Sequence, residues 1–272
     1  MVRVVDQAVA CLIVGVLNVT PDSFSDGGRY PSVEAAVEAA AGMAEEGANW
    51  IDVGGESTRP GAAPVSEAEE RQRVLPVIEG LRRRLPPSVR ISVDTYKAGT
   101  ARAAVAAGAS VINDVSGGRL EPDIVRVAAE TGAGIVLGHL RGAPSTMMED
   151  VAFRDVVEEV SAELAERLAD ARAAGCYETW VDPGIGFGKR LEHSIALLRG
   201  LPALHARLDV PLMVGVSRKA FIGQLTGKPA EERVFGTAAA VTAAVMGGAA
   251  AVRVHDVASM RDVVRVAEAL RT

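Results

Sequence analysis

The sequence predicts an α/β protein with a single-domain (β/α)8 fold, the TIM barrel, and three observations support this prediction. Eight short apolar runs alternate with eight alanine-rich helical patterns along the 272 residues. Nearly every apolar run ends in polar residues, as happens where parallel barrel strands converge on one active site at their carboxyl ends. Eight regular β/α repeats also favour a closed barrel over a doubly wound open sheet, so we expect residues 1–272 to form one domain.

The eight predicted strands read as continuous apolar runs, because a parallel strand is buried on both of its faces. They are predicted at residues 11–17, 50–54, 90–94, 110–114, 134–139, 179–183, 211–216 and 250–256. Residues 2–9 precede the first strand, and we expect them to plug the amino-terminal end of the barrel.

The predicted helices lie between these strands, at residues 32–46, 66–84, 97–107, 121–131, 153–174, 192–207, 231–246 and 258–270. Ser66 and Glu69 have the spacing of a capping box at the start of the second helix. Most of the helices stop at a glycine, which readily adopts the left-handed C-cap conformation. These glycines are Gly47, Gly108, Gly132, Gly175 and Gly247.

Composition argues against several classes of protein. The net charge of −6 comes from 29 basic and 35 acidic residues, whereas general binding to nucleic acid or to an anionic membrane needs a basic surface. Cys11 and Cys176 have neither disulfide-framework nor zinc-site spacing, so we expect a reducing, cytoplasmic setting. The apolar run at 8–17 lacks a signal-peptide cleavage pattern. The apolar stretch at 234–254 predicts a buried helix and strand rather than a membrane span, because two glycines interrupt it.

Polar residues at the strand ends are the candidate functional groups. They are Asn18, Asp52, Asp94, Asn113, Asp114, His139, Asp182, Ser217, Arg218, Lys219, Arg253 and His255. Two loops rich in Gly, Pro, Ser and Thr follow the first two strands, at 20–32 and 55–66. Both are long for β-to-α connections, which indicates a lid over the site; ordinary solvated surface loops are the alternative.

Seven segments of the chain together closely resemble the bacterial dihydropteroate synthase family. They are GVLNVTPDSFSDGG from Gly15, DVGGESTRPGA from Asp52, SVDTYK from Ser92, INDVSGG from Ile112, DPGIGFGK from Asp182, GVSRKAFIG from Gly215 and VRVHDV from Val252. The resemblance covers essentially the whole chain. It implies the condensation of 6-hydroxymethyl-7,8-dihydropterin pyrophosphate with p-aminobenzoate, which gives 7,8-dihydropteroate and pyrophosphate on the route to folate.

The resemblance implies a pterin pocket formed by Asp94, Asn113, Asp182 and Lys219. A pterin presents an amino group and a ring N–H side by side, and a carboxylate such as Asp182 can accept from both. The ring acceptors require an amide or ammonium donor, which Asn113 and Lys219 supply, while Asp94 can accept a further N–H. For an isolated Asp at a strand end, a helix N-cap is the alternative.

Arg253, His255, Arg59 and Lys219 are the candidate catalytic residues. Arg253 and His255 are two positions apart, so their side chains point to the same side of the last strand. The guanidinium fork of Arg253 suits phosphate, and its plane could stack on the pterin. Arg59 lies in the second loop and could close over the same anion. The alternatives are a salt bridge for Arg253 and a core histidine for His255.

The remaining assignments come from the resemblance alone. It implies that Asn18 binds a Mg2+ shared with the pyrophosphate, which suits an ion that takes few protein ligands. It implies small-molecule substrates and a homodimer as the partners. The p-aminobenzoate pocket is assigned to Phe24, Thr58, Arg59, Pro60, Phe187, Ser217 and Lys219.

The implied mechanism is an SN1-like displacement at the exocyclic methylene of the pterin. The cations stabilise the departing pyrophosphate while the dihydropterin ring delocalises positive charge. No strong general base is then required, and we interpret His139 as structural. Two rival functions remain: a methyltetrahydrofolate:corrinoid methyltransferase, and a paralogue that binds pterin without turnover.

Gly138 is the one departure from the family's pattern inside the expected pocket. The family usually has a methionine before the histidine that here is His139. A glycine would remove a flexible side chain from the face of the pterin. The sequence therefore predicts a gap, and predicts that Gly138→Met strengthens pterin binding unless the pocket is already filled.

Overall fold

A computed structural model describes residues 11–19, 32–58 and 61–271, and in these residues the predicted barrel is confirmed. The strands are β1 Leu12–Asn18, β2 Trp50–Gly54, β3 Arg90–Asp94, β4 Val111–Asp114, β5 Gly134–Gly138, β6 Thr179–Asp182, β7 Met213–Gly215 and β8 Ala251–Val254. All eight pair in parallel in the order β6-β5-β4-β3-β2-β1-β8-β7, and a parallel bridge between Val181 and Leu212 joins the two outer strands.

Ten α-helices within the described residues surround the strands. They are α1 Val33–Glu46, α2 Glu67–Arg84, α3 Ala98–Ala107, α4 Asp123–Thr131, α5 Val156–Ala174, α6 Leu191–Arg199, α7 Leu201–Leu208, α8 Ala220–Thr226, α9 Val234–Met246 and α10 Val257–Arg271. The single helix predicted at 192–207 is wrong, because Pro202 lacks an N–H donor and the chain starts a new helix there. Helix α8 was not predicted.

The helix caps largely follow the sequence signals, although the Glu69 carboxylate pairs with Arg73 and does not complete the predicted capping box. The Ser66 hydroxyl accepts the Glu69 N–H at 3.2 Å and caps α2. Gly47 and Gly175 end their helices with φ of 112° and 91°. The left-handed C-cap predicted at Gly247 is wrong: its φ is −78°, and Gly248, with φ 93°, takes the left-handed conformation instead.

Aromatic and aliphatic side chains fill the barrel interior near the amino ends of the strands. Trp50 and Trp180 meet edge to face with ring centroids 5.1 Å apart, and the Arg90 guanidinium covers Trp50 at 4.7 Å. The plug predicted at residues 2–9 lies outside the described residues. The aromatic and aliphatic side chains pack the amino-terminal end of the barrel. The polar groups gather at the opposite, carboxyl-terminal end.

The apolar stretch at 234–254 forms α9 and β8, as predicted. In the part of the chain that the structure describes, no helix is both long and apolar enough to cross a membrane.

Candidate active site

Strand register brings the predicted polar residues into one row at the carboxyl end of the barrel. Neighbouring strands place their last residues side by side, and a pocket opens above them. The Cα partners along this row are Asn18–Gly54, Gly54–Asp94 and Asp94–Asn113, followed farther round by Gly138–Asp182 and Gly215–Arg253.

The pocket in this row, which we call the barrel-end pocket, is lined by six of the predicted site residues. Gly138, Gly184 and Gly215 also line it, and a Cβ on Gly215 would enter its space, 3.6 Å from Asp182 Oδ2 and 3.7 Å from Lys219 Nζ. The six predicted residues are Asp94, Asn113, Asp182, Phe187, Lys219 and Arg253.

Arg253 lies at the centre of an ion-pair network that the sequence did not predict. Its Nε donates to Asp52 Oδ2 at 2.6 Å, and its Nη2 donates to Asp94 Oδ2 at 2.7 Å. Asp52 is fully buried and also accepts from Ser92 Oγ at 2.6 Å and from Asn113 Nδ2 at 3.0 Å. The salt bridge considered as the alternative for Arg253 is thus present, inside the pocket, where it fixes the guanidinium plane.

Burial and charge shift the pKa of each ionisable group in the pocket. Burial raises the pKa of Asp94, and the Arg253 guanidinium counteracts that rise. Burial likewise raises the pKa of Asp182, opposed first by Lys219. Burial lowers the pKa of Lys219 to about 8, opposed by Asp182. Asp94 and Asp182 therefore depend on the adjacent cations to stay ionised. The pocket thus presents hydrogen-bond acceptors and donors side by side.

Asp182 and Lys219 also hold the loop that follows β6. Asp182 Oδ1 accepts the Gly184 N–H at 2.7 Å, and Lys219 Nζ donates to the Ile185 carbonyl. The same ammonium lies 4.3 Å from the Phe187 ring centroid, an arrangement in which the ring face attracts the cation. Phe187 and Lys219 consequently share one wall of the pocket.

Ser217 and His255 meet at the rim, beside the pocket rather than in it. Ser217 Oγ is 3.0 Å from His255 Nδ1 and accepts the His255 backbone N–H at 3.2 Å. Arg218, with φ of 59°, bonds Asp256 through Nε at 3.0 Å. This pair ties the β7 and β8 loops together and so holds Ser217 against His255.

Asn18 is exposed at the end of β1, and its side chain faces the same space as Asp94. A Cβ on Gly54 would lie 3.5 Å from Asn18 Oδ1 and 3.6 Å from Asp94 Oδ2, so two oxygen atoms converge where Gly54 has no side chain. Over the described ranges, no group of three His, Cys, Asp or Glu side chains could hold a metal. Asp94 Oδ2 is held by Arg253, so the Asn18 amide oxygen is the group that fits Mg2+, an ion that prefers oxygen ligands and retains waters.

The second loop is described except at residues 59 and 60. Thr58 is half-buried and is the last described residue before residue 61. Phe24, Arg59 and Pro60 lie outside the described residues, so their predicted contacts with substrate stay predictions.

The gap predicted at Gly138 is wrong. A Cβ on Gly138 would lie 2.6 Å from the Val115 carbonyl oxygen and 2.7 Å from that of Asp114. Real Cβ atoms do not approach backbone this closely, and backbone yields less easily than the end of a flexible side chain. The end of β5 therefore packs directly against the residues that follow β4.

We expect Gly138→Met to lower the free energy of unfolding by about 1–3 kcal/mol through overpacking, and to weaken pterin binding rather than strengthen it. Urea unfolding and a pterin dissociation constant check both effects. Gly42→Met in α1 is the matched control, since a Cβ there meets nothing within 4 Å. Unchanged stability together with tighter pterin binding would show that the predicted gap at Gly138 exists.

Comparison with known proteins gives a consistent assignment. The "Pterin binding enzyme" family matches residues 14–255. The chain is 47% identical to dihydropteroate synthase from Synechocystis sp. over 95% of its own length and 89% of that protein.

Two solved structures share the fold and much of the sequence. Yersinia pestis dihydropteroate synthase, in complex with a sulfonamide drug, aligns at TM-score 0.90 and 42% identity, covering 96% of this chain and 94% of that one. Xanthomonas albilineans dihydropteroate synthase with 4-aminobenzoic acid aligns at TM-score 0.89 and 45% identity, covering 97% and 94%. The chain therefore belongs to the family of pterin-binding enzymes, and the relatives it matches along nearly their whole length are dihydropteroate synthases.

Proposed function

We propose that the chain is a dihydropteroate synthase, a transferase of folate biosynthesis. It joins 6-hydroxymethyl-7,8-dihydropterin pyrophosphate to p-aminobenzoate and releases pyrophosphate. The observation that carries this proposal is the barrel-end pocket, where Asp182 and Lys219 stand beside the Arg253–Asp94 pair. Its relatives with bound 4-aminobenzoic acid and a sulfonamide support the same substrates.

The pocket has the donors and acceptors that a pterin ring requires. Asp182 uses one oxygen for the Gly184 N–H, and a carboxylate has about four acceptor positions in total. It can therefore accept the amino group and the adjacent ring N–H of the pterin. Lys219 and Asn113 donate to the ring acceptors, while the fixed guanidinium plane of Arg253 offers a surface on which the ring stacks.

The pyrophosphate lies toward the rim, on the side of His255. Ser217 Oγ accepts the His255 backbone N–H at 3.2 Å and lies 3.0 Å from Nδ1, so the imidazole is held at the rim, where it can donate a hydrogen bond to an anion. The same contact restrains Ser217, which argues against a serine nucleophile. Asn18 would hold the Mg2+, which when bound neutralises charge on the departing pyrophosphate.

The reaction exchanges one bond for another at the exocyclic methylene. The carbon–oxygen bond breaks with its electrons moving to pyrophosphate, and the lone pair of the arylamine forms the new carbon–nitrogen bond. The protonated amine that results is acidic and gives its proton to the released pyrophosphate or to water, so no side chain needs to act as a strong base. Arg253 and His255 stabilise the negative charge that develops on the leaving group.

Two further properties belong to the proposal. We expect a homodimer and a cytoplasmic location. A sedimentation mass twice that of one chain, at micromolar concentration, checks the first, and cell fractionation checks the second.

Substrate binding is expected to be ordered. We expect pyrophosphate to order the loops at 20–32 and 55–66. p-Aminobenzoate and sulfonamides should then bind about tenfold more tightly once pyrophosphate and Mg2+ are present, because the first ligand has already ordered the loops that the second one contacts. Calorimetric titration of one sulfonamide, with and without pyrophosphate, measures this coupling. Equal affinities in both titrations would argue against an ordered lid.

Turnover with both substrates tests the proposed function. The protein should release one pyrophosphate for each 7,8-dihydropteroate formed, and only when p-aminobenzoate is present. A corrinoid methyltransferase has no pyrophosphate to release, and a non-catalytic paralogue would bind pterin without forming product. Absence of product from the folded protein, with both substrates and Mg2+ supplied, would reject the proposal.

A further inference from the structure

Lys189, the last residue of the GIGFGK segment, is a buried lysine that the proposed chemistry does not use. It is only 4% exposed. Its Nζ lies 2.9 Å from His139 Nδ1, 3.2 Å from the His139 carbonyl and 3.0 Å from the Phe187 carbonyl. An ammonium group has three hydrogens to donate, so its donors match these acceptors one for one.

The partner of Lys189 is itself held in one orientation. His139 Nε2 lies 3.1 Å from Glu163 Oε2, so Nε2 carries the hydrogen and Nδ1 accepts from Lys189. Burial lowers the pKa of His139 to about 4, which keeps the ring neutral. Arg141 Nε binds Glu163 Oε1 at 2.9 Å. The chain of contacts therefore runs from α5 through the end of β5 to the loop after β6.

The ammonium form of Lys189 is the one that this geometry favours. Burial, followed by the positive charge of Lys219, lowers the pKa of Lys189 to about 7. A neutral amine has only two hydrogens and could not satisfy all three acceptors. The contacts to His139 and Phe187 thus favour the charged state that burial opposes.

Two lysines hold alternate carbonyls of the same loop. Lys219 binds the Ile185 carbonyl from the pocket side, and Lys189 binds the Phe187 carbonyl from behind. The loop also packs on β5 so closely that a Cβ on Gly184 would overlap the His139 carbonyl oxygen. The Phe187 ring, against Lys219, is therefore fixed from both sides.

We propose that Lys189 is a positioning residue that sets the Phe187 wall of the p-aminobenzoate site. This inference rests on the proposed function and names a residue on which the second substrate depends. Lys189 itself does not line the barrel-end pocket. It acts through Phe187, so its loss should affect p-aminobenzoate more than the pterin, which Asp182 and Asn113 hold.

The test is Lys189→Met, which keeps an unbranched side chain one atom shorter and removes all three donors. We expect the KM for p-aminobenzoate to rise about tenfold or more, the scale of a displaced substrate contact. The pterin pyrophosphate dissociation constant should change less than about threefold, within the effect of a single weak contact. Lys228→Met, which removes an exposed lysine, is the matched control and should match wild type. Lys189→Gln keeps two donors, so its KM for p-aminobenzoate should lie between those of wild type and Lys189→Met. The Gln variant also provides the test if Lys189→Met does not fold.

A double-mutant cycle separates positioning from a general loss of structure. Against a Phe187→Ala background, Lys189→Met should cause little further rise in the KM for p-aminobenzoate, because the wall it positions is already gone. The inference is overturned if the variants raise both substrate constants equally, if they raise neither, or if the effects of Lys189 and Phe187 simply add. If the wild-type protein shows no turnover, the proposed function is rejected, and this inference is rejected with it.

Discussion

Replacing Arg253 by lysine is expected to lower kcat/KM by about 100-fold, or roughly 3 kcal/mol, although the charge is kept. In the structure the guanidinium spans two carboxylates, Asp52 and Asp94, through different nitrogens. A lysine ammonium is a point charge without this fork or its stacking plane. The fully buried Asp52 would also lose a directed partner, which is costly for a charge away from water.

Steady-state kinetics and two binding titrations measure this effect. The loss of affinity should be larger for the pterin pyrophosphate than for the pterin without phosphate, because Arg253 is assigned to the departing group. Arg102→Lys, at an exposed pair with Glu130, is the control and should leave both constants unchanged. Equal losses for the two ligands would contradict the role assigned to Arg253.

Asp182→Asn should weaken pterin binding by about 2–4 kcal/mol, the range for a mismatched buried polar pair. The amide keeps one acceptor oxygen, which the Gly184 N–H already engages at 2.7 Å. Its NH2 group would then face a pterin donor. The substitution also removes the carboxylate that opposes the burial-driven fall in the Lys219 pKa, so the ammonium form of Lys219 would be less favoured.

Titration calorimetry with the pterin substrate checks the Asp182 prediction. Asp262→Asn, on the exposed face of α10, removes a carboxylate far from the pocket and should bind pterin as wild type does. Circular dichroism before and after titration confirms that both variants are folded. Unchanged affinity in folded Asp182→Asn would remove Asp182 from the pterin site.

The barrel was predictable because its signals are local. Each buried strand is a continuous apolar run, and polar residues directly follow it, so strand positions and the site's end of the barrel follow from short windows of sequence. The missed helix α8 has only seven residues, too few for a periodic pattern. The break before Pro202 does have a local signal, because proline cannot donate a helix hydrogen bond.

The contacts within the site were harder to predict, because they join distant parts of the chain. Arg253 and Asp52 are 201 positions apart, and no local pattern specifies that pair. The sequence places Asp52 at a strand end, but only the closed barrel brings it beneath Arg253 as a buried partner. Lys189 carried even less signal, since a lysine after a glycine-rich loop is usually solvated. The close packing at Gly138 depends on backbone positions, which a family pattern does not reveal.

A crystal structure with bound pterin pyrophosphate tests the central claim most directly. The pterin should lie in the barrel-end pocket with its amino group and adjacent ring N–H within hydrogen-bonding distance of Asp182. Its pyrophosphate should extend toward Arg253 and His255. A pterin bound outside this pocket, or one whose pyrophosphate points away from these two side chains, would contradict the account.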